Sequence, residues 1–426
     1  MMKLVGTWLG KATHKALKIS GRSGSALPGL VVEKLMPSFL ANALRDLPNG
    51  VIVVSGTNGK TTTTSLLVSL LESQGLRVLT NETGSNFVRG VVSATIAKST
   101  WLGKLPYDIA VFEQDEAHAV HFVRQVKPRG VVLLNIMRDQ MDRFGEIDTT
   151  AKLLTAIAES ATDWVALNAN DERVGQITPR EGVRTSWFAH REHMRDQFKS
   201  DDQLYDQDAA KHVLVGTPNV WLESYERGEV AVRHGDKTET YHFGLVGAHN
   251  ALNLTAALTA LYEIVPTIDI AALRKATSAA TPVFGRGEVV DLPNGGKLTV
   301  QLIKNPSGFT QALKMLDNEE YMQVGVMIND DYADGRDVSW LWDVQFDALK
   351  KYDAYCGGDR AADMALRLKY DEVTRATAES DLKSYLRAFD KALPAGKKGI
   401  IFCTYTAMRA VRIELLNAAS GLEEVS

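Results

Sequence analysis

The chain has 426 residues, 48 Lys and Arg against 52 Asp and Glu, a formal net charge of −4, and 45% hydrophobic residues. That length accommodates two or three domains with proper cores, and the absence of a basic stripe interleaved with aromatics argues against a nucleic-acid partner. The two cysteines, Cys356 and Cys403, are too few for a disulfide scaffold or a cysteine-rich metal site and fit a reducing cytoplasm.

Met1–Leu17 carries scattered Lys and His in an amphipathic pattern, without a continuous apolar stretch or a small-residue cleavage site. It reads as a surface helix, not a signal peptide, and no run is long enough for a transmembrane segment. Gly21–Ser25 with Leu27-Pro28-Gly29 predicts a loop before a second helix from about Val31 to Leu44.

The β-branched run Val51-Ile52-Val53-Val54 stops at Ser55-Gly56-Thr57-Asn58-Gly59-Lys60-Thr61-Thr62, and Ser65–Leu71 follows with helical apolar spacing. That is strand, phosphate loop, helix. Gly56 and Gly59 let the amides of Thr57, Asn58, Lys60, Thr61 and Thr62 turn inward around phosphate oxygens, and the helix N-terminus adds partial positive charge. Lys60 would reach the terminal phosphates and Thr61 would ligate Mg²⁺. The spacing is shorter than a full Walker run, but its flanking strand and helix favour nucleoside triphosphate binding over a tight turn.

Further strands are expected at Leu76–Thr80, Asp108–Glu113, Gly130–Asn135 and Asp163–Asn168. Strands ending in Glu113, Asn135 and Asn168 describe an α/β fold with a doubly wound, mostly parallel sheet and a ligand crevice along the strand ends. Glu113 is the candidate second metal handle, the alternative being a solvated strand-end carboxylate. Glu116, His118 and His121 read as exposed helical polar residues and not as a metal set. The charged run Arg138–Glu146 is either a crevice-mouth element or a salt-bridged cap.

Gly182–Phe243 turns short, polar and strand-like, a β-rich continuation of the same domain. Asn250–Val265 and Ile268–Ala280 are helices. Asn250 and Asn253 share a face near a helix N-terminus, suited to capping or to an adenine edge. Thr281-Pro282 breaks the pattern, giving domains 1–282 and 283–426. Arg286 follows, suited to clamping a phosphate or base, or to standing as an exposed hinge arginine. The second, smaller α/β domain has strands near Leu298–Ile303, Gln323–Asn329, Ala354–Cys356 and Gly399–Thr404. Helices lie between them, notably Gly308–Leu316, Phe346–Lys351 and Asp381–Leu393. Trp340 and Trp342 read as core. Asp330 emerges at a strand's carboxyl end, where α/β domains place reactive groups and where a loop-capping Asp is also common.

Four ordered signatures, Gly56–Thr62, the strand-end Glu113, Gly247-Ala248-His249-Asn250-Ala251-Leu252-Asn253 and Gly285-Arg286-Gly287-Glu288, together resemble the Mur ligase superfamily. These are ATP-dependent enzymes that join carboxylates to amines through an acyl phosphate. Three further runs resemble the branch that acts as synthetase subunit beside a separate glutaminase: Asn135 with Arg138–Glu146, Lys304-Asn305-Pro306-Ser307-Gly308, and Asn329–Asp343. The resemblance implies a heterodimer with a GatD-like glutaminase. Its activity would be ATP-dependent amidation of the α-carboxylate of D-glutamate in the lipid II stem peptide, at the inner membrane face. It carries Lys60 and Thr61 over as phosphate and Mg²⁺ residues, Glu113 as a metal ligand, and Asn250 as a nucleotide contact. It makes Asp330 the residue completing the glutaminase's Cys–His pair, with Asp334 and Asp343 as alternatives. Many relatives insert a four-cysteine zinc ribbon in the β-rich region; without cysteine there, no zinc is expected. Asp331-Tyr332 departs from the Asn-Ala expected in the acidic motif, and the separate N-terminal substrate domain of most Mur ligases is not found. The competing readings are a folylpolyglutamate-synthetase-like or other Mur-type ligase adding an amino acid, and a P-loop binding module without ligase chemistry.

Overall fold

A computed structural model describes residues 2–19, 27–81, 88–137, 146–198, 214–282, 285–318 and 320–419. The chain divides into two compact units, one whose described residues lie within Met1–Met137 and Gly145–Thr281, and one within Pro282–Ser426.

The first unit is built on nine strands: β1 Val51–Ser55, β2 Val78–Thr80, β3 Ile109–Glu113, β4 Gly130–Leu133, β5 Trp164–Asn168, β6 Arg184–His190, β7 Val220–Glu226, β8 Glu229–His234 and β9 Lys237–His242. Their order is β2-β3-β1-β4-β5-β6-β7-β8-β9. All pairings from β2 to β7 are parallel, and β7-β8-β9 closes as an antiparallel meander. The continuous apolar run of β1 reflects cover on both faces. Ile52 and Val54 pack in the layer of Leu67, Leu70, Leu254 and Leu258. Val51 and Val53 pack in the opposite layer with Phe39, Val91, Phe122 and Ile157. Each such side chain contributes about 1.5–3 kcal/mol by leaving water. The β-rich region is therefore an extension of one sheet. Its last strand carries Lys237 and Glu239, charges that discourage edge pairing.

The second unit has β10 Arg286–Asp291, β11 Lys297–Leu302, β12 Gln323–Met327, β13 Ala354–Gly357, β14 Ala376–Glu379 and β15 Lys398–Cys403, ordered β10-β11-β15-β12-β13-β14. It is parallel apart from the β10–β11 hairpin. One face packs Val324, Val326, Ile400 and Phe402 on Phe309, Phe346 and Met364. The other packs Leu298, Val300 and Ile401 on Tyr385, Phe389 and Val411.

Several local expectations are corrected. Leu27-Pro28-Gly29 opens a helix, Leu27–Leu35, in place of a loop. Proline is tolerated in a first turn, and Gly29 permits close packing: a Cβ there would sit 2.0 Å from the Arg89 carbonyl oxygen. The expected single helix Val31–Leu44 is broken ahead of Phe39–Leu44, since Pro37 cannot continue it. Phe346–Lys351 is one 3₁₀ turn, Asp347–Leu349. Trp340 is buried, but Trp342 is 53% exposed and stacks edge-on with Tyr370. Strands β10 and β14 and the helices Ala361–Tyr370 and Tyr405–Ala419 were not anticipated. No helix among the described residues is long and apolar enough to cross a membrane.

Candidate functional site

The loop between β1 and the helix Lys60–Ser73 lies at the carboxyl end of the central strand, where β3 and β4 flank β1. Asn135, just beyond β4, fixes its shape. The Thr57 amide donates to the Asn135 carbonyl at 2.9 Å. The Asn58 amide donates to Asn135 Oδ1 at 2.8 Å, and Asn135 Nδ2 donates to the Asn58 carbonyl at 3.1 Å. Gly59 has φ +88°, a backbone that L side chains rarely adopt, and its Cα packs against Asn253: a Cβ there would lie 2.4 Å from Asn253 Oδ1.

Lys60 is buried and turns back over the loop, donating to the carbonyls of Gly56 at 2.5 Å and Thr57 at 3.2 Å. Its ammonium also meets Glu116 Oε1 at 3.4 Å, with the Glu116 side chain only 13% exposed. The sequence pattern predicts an exposed helical carboxylate at Glu116; the turn after β3 carries it onto the lysine instead. Thr61 Oγ1 donates to Glu113 Oε1 at 2.9 Å. Both residues are buried. A hydroxyl and a carboxylate converging beside the loop are hard oxygen donors of the type that hold a magnesium ion.

Glu113 is held by its backbone. Its amide donates to Asn81 Oδ1 and its carbonyl accepts from Asn81 Nδ2, both at 3.1 Å. Asn81 follows the three-residue β2 and had no signal in the sequence beyond that position. Ser55 Oγ donates to the Gln114 carbonyl at 3.0 Å, tying β1 to the end of β3. On the helix Ala248–Ile264, Asn250 Nδ2 donates to the Val246 carbonyl at 2.7 Å and Asn253 Nδ2 reaches Asn250 Oδ1 at 3.5 Å. Asn253 thus stands against the loop, while Asn250 ties the first turn of the helix to the Val246 carbonyl. Beyond Asn135, the Ile136 amide donates to Asp171 Oδ2 at 2.7 Å and the Val174 amide to Asp171 Oδ1 at 2.9 Å. Desolvation nonetheless pushes the Asp171 carboxyl up to about 6. His121 is exposed, and among the described residues no group of three His, Cys, Asp or Glu side chains forms a metal cluster. Arg138–Gly145 lie outside the described residues.

Arg286 belongs to the second unit, as the first residue of β10, opposite Gln301. In that unit Asp330 follows β12 and accepts at Oδ2 from Arg360 Nη2 at 2.6 Å and Nε at 3.0 Å. The pair is partly open, the side chains being 28% and 39% exposed. Asp334 is buried and accepts from the Thr406 amide at 2.8 Å and from the Thr406 hydroxyl, capping the helix Tyr405–Ala419. Burial pushes its carboxyl above the ordinary range. Asp343 Oδ2 is buried without a hydrogen-bond partner among the described residues. Asn329 braces the motif through the Thr404 hydroxyl at 2.9 Å and Thr406 Oγ1 at 3.1 Å.

A phosphate-type loop, a strand-end glutamate and an asparagine-bearing helix on this parallel sheet define the central domain of a Mur-type ligase. The model of the Mur ligase middle domain matches residues 54–261, and that of the MurT ligase C-terminal region matches residues 302–408. The chain is 31% identical to the lipid II isoglutaminyl synthase (glutamine-hydrolyzing) subunit MurT of Streptococcus pneumoniae, over 97% of this chain and 96% of that one. It is 29% identical to the MurT subunit of Staphylococcus aureus strain COL, over 86% and 87% of the two chains. A MurF ligase from Thermotoga maritima, solved with ADP, shares the fold with a TM-score of 0.67 at 17% identity, over 91% of this chain and 83% of that one. The chain belongs to the MurT family of the Mur ligases.

Proposed function

We propose that this chain is the ATP-dependent synthetase subunit of a glutamine-hydrolysing amidotransferase that converts the D-glutamate α-carboxylate of the lipid II stem peptide to the amide. The likeness to the pneumococcal subunit over 97% of the chain carries this reading, and the site supplies its chemistry. A carboxylate is a poor electrophile because oxide is a prohibitive leaving group. Attack of a carboxylate oxygen on the γ-phosphorus of ATP, with ADP leaving, gives an acyl phosphate; ammonia then attacks the acyl carbon and inorganic phosphate leaves. The Lys60 ammonium balances charge on the transferring phosphoryl group. Thr61 and Glu113 would hold Mg²⁺, which supplies charge neutralisation at the phosphate oxygens. Glu116 orients Lys60. Gly56, Thr57, Asn58, Gly59 and Thr62 would line the phosphates, and Asn250, Asn253 and Arg286 are assigned to the nucleotide.

Ammonia is mostly protonated near neutral pH, so a shielded supply is required. A glutaminase partner provides it, and residues 283–426 are assigned to that heterodimer contact while residues 1–282 bind ATP. Asp330 completes the partner's Cys–His pair. The assembly works in the cytoplasm against lipid II at the inner membrane face.

The test is co-purification with the glutaminase, then mass analysis of lipid II treated with ATP and either glutamine or ammonium. Exchange of a carboxyl hydroxyl for an amino group is expected, and Lys60→Ala loses it with both nitrogen sources. Attachment of an amino acid in place of ammonia, or near-normal ammonia-driven turnover by Lys60→Ala, refutes the reading.

A further inference from the structure

The helix Met2–Ile19 packs by its small residues. A Cβ on Gly6 would meet Phe39 at 2.3 Å, and one on Gly10 would meet Ile96 at 2.5 Å. Its other face carries Val5, Trp8 and Lys11 at three-residue spacing. There it interlocks with a tight turn, whose Gly103 amide donates to the Thr100 carbonyl at 3.0 Å and whose Thr100 amide donates to the Lys104 carbonyl at 2.8 Å. Trp8 Nε1 donates to the Trp101 carbonyl at 2.8 Å. Lys11 Nζ donates to the Ser99 carbonyl at 2.6 Å and stands 4.7 Å from the Trp101 ring centroid. This framework holds large apolar side chains in water: Val5 is 51% exposed, Trp8 58%, Trp101 64% and Leu102 74%.

The two stretches of sequence that carry them are one-sided in charge. Residues 1–32 contain Lys3, Lys11, Lys15, Lys18 and Arg22, and residues 88–107 contain Arg89, Lys98 and Lys104; neither stretch has an Asp or Glu. That is the reverse of the chain's net −4. Exposed Trp and Leu bordered by lysines, on an amphipathic helix, match the interface of an anionic bilayer. A protein interface of this size would be depleted of lysine at its centre.

We propose that this face docks the chain on an anionic lipid surface, with Trp8, Trp101 and Leu102 entering the headgroup–acyl boundary and Lys11 and Lys104 against lipid phosphates. Its value to the protein, bringing the ATP-dependent site to a lipid-linked substrate, rests on the proposed function; the docking itself does not. The test floats the full-length chain with vesicles of phosphatidylcholine alone and of phosphatidylcholine with phosphatidylglycerol. Binding to the anionic vesicles, weakened by salt, is expected. Trp101→Ser with Leu102→Ser lowers the partition coefficient by about tenfold or more, and Lys104→Gln by about fivefold. Amidation of a lipid-free substrate analogue stays at the wild-type rate in all variants, which separates docking from the ligase reading and reports an intact fold. Failure of the wild type to float with anionic vesicles overturns the proposal. So does flotation of the double variant at the wild-type level, or a change confined to self-association or glutaminase binding.

Discussion

Gly59→Ala isolates what the loop demands, because Gly75, just past the other end of the same helix, supplies a control. The two glycines have nearly the same backbone, φ +88° and +84°, but a Cβ at Gly75 has nothing within 4 Å. At Gly59 it would lie 2.4 Å from Asn253 Oδ1, 3.2 Å from its Cγ and 3.3 Å from its Nδ2. The backbone cost of placing Ala at such a φ is about 1–2 kcal/mol in both. Asn253 is short, buried and directed at Asn250, so yielding adds about 1–2 kcal/mol at Gly59 alone. Gly75→Ala should therefore cost about 1–2 kcal/mol and Gly59→Ala about 2–4 kcal/mol. Urea unfolding of both variants, repeated in an Asn253→Ala background, measures the difference; the extra cost at Gly59 should vanish when Asn253 is trimmed. ATP affinity, read by calorimetry, should fall only for Gly59→Ala. Equal destabilisation of the two variants, or an extra cost that survives Asn253→Ala, refutes the steric account.

Asp171 predicts a pH dependence. Its folded carboxyl sits at about 6 against an ordinary 3.8, so the folded state holds this proton more tightly, and stability falls by about 2–3 kcal/mol as pH rises from about 4 to 6, then levels. Asp171→Asn should flatten that window in urea titrations, and an unchanged slope would remove Asp171 as its cause. Elemental analysis of the purified protein should find no chelation-resistant zinc, because Cys356 and Cys403 cannot build a four-cysteine ribbon; one bound zinc per chain contradicts this. Asp330→Asn should lower glutamine-dependent amidation by about 10²–10⁴-fold, the scale of losing a triad's orienting carboxylate. Ammonia-dependent amidation and complex assembly should persist, and equal loss with both nitrogen sources would assign Asp330 to the synthetase site or the fold.

The phosphate loop was legible because its signals are local: a buried strand, two glycines, then Lys60 and Thr61 at a helix start. The meander after β6 was legible as strands from alternation such as that of Val230 and Val232, which are buried while their neighbours Glu229, Ala231 and Arg233 are less so. Strand β14 was not, because its residues Ala376–Glu379 are mostly exposed and carry no apolar run. Spacing misassigns Glu116 to the exposed face for a different reason. Its position in the first turn of a polar helix is the same whether it faces water or Lys60, and only the approach of β3 beside β1 decides. Asn81 likewise depends on β2 lying next to β3. Long-range pairing confers these roles, so residue type and spacing could not reveal them.

Burial separates the acidic residues that the sequence left as alternatives. A carboxylate that orients a partner's imidazole must stay ionised and present an oxygen at the surface. Asp334 meets neither condition: both oxygens are engaged by Thr406, and desolvation favours its protonated form. Replacing it would unseat the N-terminus of the helix Tyr405–Ala419 and impair both nitrogen sources through the fold. Asp343 has an oxygen buried without a partner, a poor starting point for an intermolecular hydrogen bond. Asp330 keeps one oxygen on Arg360, which orients the carboxylate, while Oδ1 accepts from no described residue. An arginine on one oxygen and a second oxygen without a hydrogen bond among the described residues form the arrangement that the proposed third triad member needs, at the carboxyl end of a parallel strand where α/β domains place reactive groups.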